Sequence, residues 1–92
     1  MAQHLGNEER IRHKIATIEA EKAQIVIQKR ETRDRLVNEV LHPVERASLL
    51  QLYATLIEAE QLRSTIISQY RELLLYNRIL TDHNIRYHAN EK

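Results

Sequence analysis

Cysteine, tryptophan and phenylalanine are absent from this chain, and glycine and proline occur once each, at Gly6 and Pro43. Each absence narrows the choices. Without cysteine there are no intrachain disulfides and no thiolate metal sites, which is compatible with a reducing compartment. One glycine and one proline leave room for a single interruption, so nearly all the remaining chain is expected to be helix. Its main components (Leu, Ile, Ala, Glu, Arg, Gln) are good or neutral helix formers. Long apolar runs are also missing. The longest are a few residues, such as Leu73 to Tyr76, whereas a membrane span needs about 20. The first residues carry neither a basic start nor an apolar stretch, so no secretory signal is visible. The expected location is cytoplasmic, with no membrane partner.

Charge of one sign is lacking too. The formal net charge is +1 with 29% charged residues, so bulk charge points to neither nucleic acid nor membrane. The bias lies within the basic set, where arginine outnumbers lysine. Arginine suits bidentate contacts to carboxylate or phosphate.

What is present is a seven-residue repeat through the second half. Leu49, Leu52, Leu56, Ala59, Arg63, Ile66, Tyr70, Leu73, Asn77, Leu80, Asn84 and Tyr87 are spaced alternately three and four apart. That spacing holds side chains on one stripe of a helix, and a stripe this apolar must be covered. A second stripe lies beside it, with Leu50, Tyr53, Ile57, Ser64, Ile67, Leu74 and Ile85. Together they cover close to half the helix circumference. The first half has its own stripe of Ile11, Ile15, Ile18, Lys22, Ile25, Lys29, Thr32 and Leu36. Lys22 and Lys29 either extend along apolar surface to water or pair with an acid across the interface, Glu60 being the named candidate.

The division expected from these signals is one domain. Residues 1–6 form a flexible lead-in, 7–41 helix 1 with Asn7 as N-cap, and 42–43 a tight turn. Residues 43–88 form helix 2, and 89–92 a frayed end. Pro43 cannot continue helix 1 but suits the first position of a new helix, with His42 as N-cap and Glu45 at N3. Short connections favour antiparallel neighbours. The fold class is therefore all-α: a long antiparallel αα-hairpin, coiled-coil-like, self-associating into a four-helix bundle. A rod kinked at Pro43 is the alternative. Self-association follows from the breadth of helix 2's apolar face, which one neighbouring helix does not hide, and from the small core of so short a chain. The expected interface residues are Ile11, Ile15, Ile18, Ile25, Leu36, Leu52, Leu56, Ile66, Tyr70, Leu73 and Leu74, forming a homodimer.

Chemistry is hard to find. His83 and His88 are five apart and do not share a helix face, and His4, His13 and His42 are isolated. A helical zinc pair would want a spacing of four. There is no glycine-rich phosphate loop, nucleophile elbow or cysteine nucleophile. No catalytic residue, metal or cofactor is expected. Two functional readings remain. The first is a non-enzymatic interaction module (an adaptor, small chaperone or assembly factor) that binds a protein partner through the broad face and overhanging end of helix 2, where Ile85 and Tyr87 are candidate contacts. The second is a bundle that binds double-stranded RNA or DNA. It would place Lys29, Arg30, Arg33, Arg35, Arg71 and Arg78 on phosphates. Two-helix architecture by itself does not choose between them.

Overall fold

The computed structural model describes the backbone of residues 2–90 and the side chains of residues 6–84. Two helices account for it: α1, Ala2–Asn38, and α2, Pro43–Asn90. They pack antiparallel as a hairpin, and the described residues contain no strand. The shape is a rod, 76 × 16 × 16 Å, with a radius of gyration of 21.1 Å. A compact chain of this length would have about 12 Å. One layer of side chains between two helices is all the interior there is.

The turn is built by four polar contacts. Pro43 opens α2, as its fixed φ and missing N–H allow. His42 is the N-cap: the Val44 N–H donates to its Nδ1 at 3.2 Å, and its carbonyl accepts from the Arg46 N–H at 2.8 Å. Glu45 accepts from Arg35 Nη2 at 2.7 Å, which ties α2's first turn to α1's last. No glycine ends α1. Instead the Arg46 side chain donates to the Leu36 carbonyl at 3.3 Å, satisfying one of the acceptors that a helix end leaves open.

The helix bounds differ from the expected ones at both ends of α1 and at the end of α2, which runs to Asn90. Asn7 lies inside the helix, which begins at Ala2, and the helical part ends at Asn38, so the connection spans 39–42. A single glycine is a weak obstacle, about 1 kcal/mol within a helix, and a Cβ at Gly6 would meet nothing within 4 Å. At the other end, the residue before a proline is pushed out of helical geometry, and the Arg46 contact to Leu36 satisfies one of the carbonyls left open by the early end.

The seam follows the heptad. From α1 it takes Glu8, Ile11, Ile15, Ile18, Lys22, Ile25, Lys29, Thr32 and Leu36, all buried or half-buried. From α2 it takes Leu49, Tyr53, Leu56, Glu60, Arg63, Ile67, Tyr70, Leu74, Asn77 and Thr81. Leu49, Leu56 and Ile67 are its buried aliphatic centre, each contributing about 1.5–3 kcal/mol. Thr32 is buried among them, and its hydroxyl donates to the Gln28 carbonyl at 2.8 Å. This α2 seam shares Leu49, Leu56, Arg63, Tyr70 and Asn77 with the repeat read from the sequence. It then turns to the neighbouring stripe. Tyr53, Ile67 and Leu74 face α1 in place of Leu52, Ile66 and Leu73.

Ion pairs accompany that rotation. Lys29 meets Glu60 across the seam, both half-buried. On the flank beyond Glu60, Arg71 pairs with Glu19 at 2.7 Å and Arg78 with Glu8 at 2.9 Å. Turning α2 to bury Leu52 and Leu73 would carry Arg71 and Arg78 away from these partners. Arg63 lies at the opposite edge of the seam. It donates to its own helix at the Ala59 carbonyl (3.2 Å) and approaches Glu21 at 3.7 Å. Its Nε is buried without a partner.

Candidate interaction surface

Because the hairpin buries one of two adjacent stripes, the other stays on the surface. Leu52, Leu62, Leu73, Tyr76 and Leu80 are 46%, 59%, 48%, 60% and 41% exposed, with Ala59 and Ile66 half-buried among them. With Thr55 and Gln69 they form the unbroken series 52, 55, 59, 62, 66, 69, 73, 76, 80, again three and four apart. The series spans about 42 Å of helix. It lies roughly a quarter-turn from the α1 seam. A heptad stripe of this kind normally marks a helix–helix contact.

Its borders are unlike each other. On the inner side runs a polar edge of α1: a shallow cleft beside Leu52 is lined by Gln28, Glu31 and Arg35 together with Leu49 and Leu56. On the outer side come Gln51, Glu58, Thr65, Glu72 and Ile79, one heptad apart. α1 therefore offers no apolar continuation, and the surface belongs to α2 alone.

The residues expected at an oligomer interface divide accordingly. Ile11, Ile15, Ile18, Ile25 and Leu36 are half-buried in the hairpin's own seam, as are Tyr70 and Leu74, and Leu56 is buried there. Leu52, Ile66 and Leu73 lie on the second stripe. Ile85 and Tyr87, the expected partner contacts, fall outside the residues whose side chains are described. Leu62 and Tyr76 extend the stripe beyond the residues expected from the sequence; their spacing of three and four from Ala59, Ile66, Leu73 and Leu80 is the signal that places them there.

The basic residues are mostly engaged. Lys29 is held by Glu60, Arg35 by Glu39 (3.3 Å) and Glu45 (2.7 Å), Arg71 by Glu19 and Arg78 by Glu8. Arg33 has only a long 3.9 Å approach to Asp34. Arg30 and Arg33 are exposed, and with Val26, Lys29 and Tyr53 they line a shallow cleft on the face opposite the apolar stripe. Glu8 accepts from both Arg78 and Arg12 at 2.9 Å. The hydrogen bond from Arg78, helped by that from Arg12 against a smaller opposing effect of burial, holds its carboxyl below the usual carboxylate range.

Among the described residues, no group of three or more His, Asp or Glu side chains converges to hold a metal ion. None of the described helices is long and apolar enough to cross a membrane. Comparison with protein-family models, with curated proteins and with solved structures finds no match to this chain.

Proposed function

We propose that this chain is a non-enzymatic, homo-oligomeric interaction module of the cytoplasm, an adaptor, small chaperone or assembly factor. It works by covering the exposed stripe of α2, and two hairpins together make a four-helix bundle. The observation that supports this is the stripe itself: a heptad series of large apolar side chains that the hairpin leaves to solvent. Isolated surface leucines need no explanation, whereas a contiguous apolar strip marks a contact site. The C-terminal turns of α2 extend the same reading. Glu8 pairs with Arg78, with six residues of α1 before it and twelve of α2 after it. That leaves an end on α2 that a protein partner could meet.

Binding of duplex RNA or DNA is the second reading, and the cleft with Arg30, Arg33 and Tyr53 favours it. There a phosphate would displace no short ion pair. At Lys29, Arg35, Arg71 and Arg78 it would compete with a carboxylate, which weakens the wider set.

Light scattering after size-exclusion chromatography, with and without a short RNA duplex, separates the two. The interaction module predicts a helical species of about twice the 10.9 kDa chain mass that ignores the duplex. Comigration with the duplex, lost in high salt and on Arg30→Glu with Arg33→Glu, would establish the second reading instead.

A further inference from the structure

We infer that the occupant of the α2 stripe is the same stripe of a second copy, run antiparallel about a twofold axis between Ile67 and Ser68. This rests on the self-association proposed above and specifies its partner surface, direction and register.

Area is the first argument. The chain exposes 7478 Å² at 10.9 kDa, whereas a compact monomer of that mass exposes about 5,600 Å². The excess, roughly 1,900 Å², is more than the about 800 Å² that each partner gives to a standard stable interface. α1 has no matching apolar edge on this side, so the apolar side chains available to meet Leu62, Leu73 and Tyr76 are those of a second α2.

Shape sets the direction. In an antiparallel pair centred between Ile67 and Ser68, Leu62 lies against Leu73 of the second copy and Ala59 against Tyr76 of the second copy, each occurring twice by symmetry. Small meets large, which close packing requires. A parallel pair would set Ala59 on Ala59 and Tyr76 on Tyr76, a gap at one level and crowding at another. Its one attractive flank, Glu58 with Arg63, is already weakened, since Arg63 is drawn to Glu21 and the Ala59 carbonyl.

Charge sets the register. The outer flanking residues Glu58, Thr65, Glu72 and Ile79 meet each other across an antiparallel pair, and such positions choose register in coiled coils. In the register inferred here, Thr65 faces Glu72 and Glu58 faces Ile79, with no like-charge pair. Sliding one heptad one way brings Glu58 onto Glu72 of the second copy. Sliding the other way sets Glu72 on itself. Of these three registers, the central one alone has no like-charge pair.

Because the chain has no cysteine, cross-linking of single-cysteine variants reads the geometry directly. Leu62→Cys and Leu73→Cys sit on exposed positions outside the hairpin seam, so the hairpin can form in either. The expected result is that a short bis-maleimide links an equal mixture of the two into covalent heterodimer, while each variant alone stays mostly unlinked. Thr65→Lys, facing Glu72, should tighten self-association about two- to fivefold at low salt, as two added ion pairs would. Homodimers linked through Leu62→Cys alone or Leu73→Cys alone, or a Thr65→Lys variant that associates more weakly, would overturn the direction or register while leaving a dimer of the wild-type mass. A wild-type chain that stays at 10.9 kDa would instead overturn the self-association on which the inference rests.

Discussion

Lys29 of α1 donates to the Glu60 carboxylate of α2 across the hairpin seam, both side chains more than two-thirds covered. It is a charged crossing, in the half of the seam nearer the turn, flanked by Ile25 and Leu56. Pairs at this depth are stronger than exposed ones, yet still touched by water. Lys29→Ala or Glu60→Ala should destabilise the fold by about 1–2 kcal/mol, because each leaves the other charge half-buried and unpaired. The double exchange, Lys29→Glu with Glu60→Lys, should recover part of that loss. Urea unfolding of the two alanine variants and of the Lys29→Ala, Glu60→Ala double variant forms a cycle that isolates the pair; additive losses with no coupling would mean the contact contributes nothing.

The seam is thin, so its few buried residues should matter out of proportion. Ile67 is 4% exposed while Leu75, eight residues on, is 59% exposed. Ile67→Ala is expected to lower stability by about 2–4 kcal/mol, and Leu75→Ala by less than about 0.5 kcal/mol. Thermal unfolding followed by circular dichroism at matched concentration compares them. Equal effects would mean that α2 is turned differently.

That rotation is where sequence and structure part company. The hairpin itself was legible: one proline, one change of stripe and a histidine placed to cap were enough to read α2's start at Pro43. The pairing of Lys29 with Glu60 was legible as one of two options. Which side of α2 faces α1 was not settled by hydrophobicity, because two stripes share Leu49, Leu56, Arg63, Tyr70 and Asn77 and both are apolar. Leu52, Ile66 and Leu73 compete there with Tyr53, Ile67 and Leu74 at nearly equal burial value. The rotation found is the one that brings Glu19 to Arg71 and Glu8 to Arg78. Lys29 with Glu60, Glu19 with Arg71 and Glu8 with Arg78, matched across the turn, are the signal in the sequence that distinguishes the two sides. α1's first turns were missed for a different reason: Gly6 and Asn7 are helix-weakening signals that the chain overrides.

His42 ends the loop by accepting from the Val44 N–H. Histidine is an uncommon N-cap beside serine or aspartate. His42→Ala should cost about 1 kcal/mol, and His42→Asp should restore or exceed the wild-type value because a carboxylate also favours the positive end of α2. Chemical denaturation measures both; an unchanged His42→Ala variant would make the cap incidental.

Acid should loosen the open end of the hairpin. Glu8 has its carboxyl held below its ordinary value by Arg78 first and Arg12 second. The unfolded chain therefore takes up this proton at higher pH than the folded one. The stabilisation is complete above the ordinary carboxylate range and is lost as pH falls through that range and below it. Glu8→Gln should flatten this part of the stability profile and leave neutral-pH stability lower than wild type. Side-chain carboxyl titration by NMR reads the same effect, and a Glu8 that titrates at the ordinary value would remove it.

The central claim is that the α2 stripe outside the hairpin seam is an interface. Sedimentation equilibrium of the wild-type chain beside a Leu62→Glu, Leu73→Glu variant tests it most directly, since both positions are exposed in the hairpin. The expected result is a wild-type mass near twice 10.9 kDa and a variant at 10.9 kDa. A wild-type chain that remains folded at the single-chain mass, or a variant that keeps the wild-type mass, would contradict it.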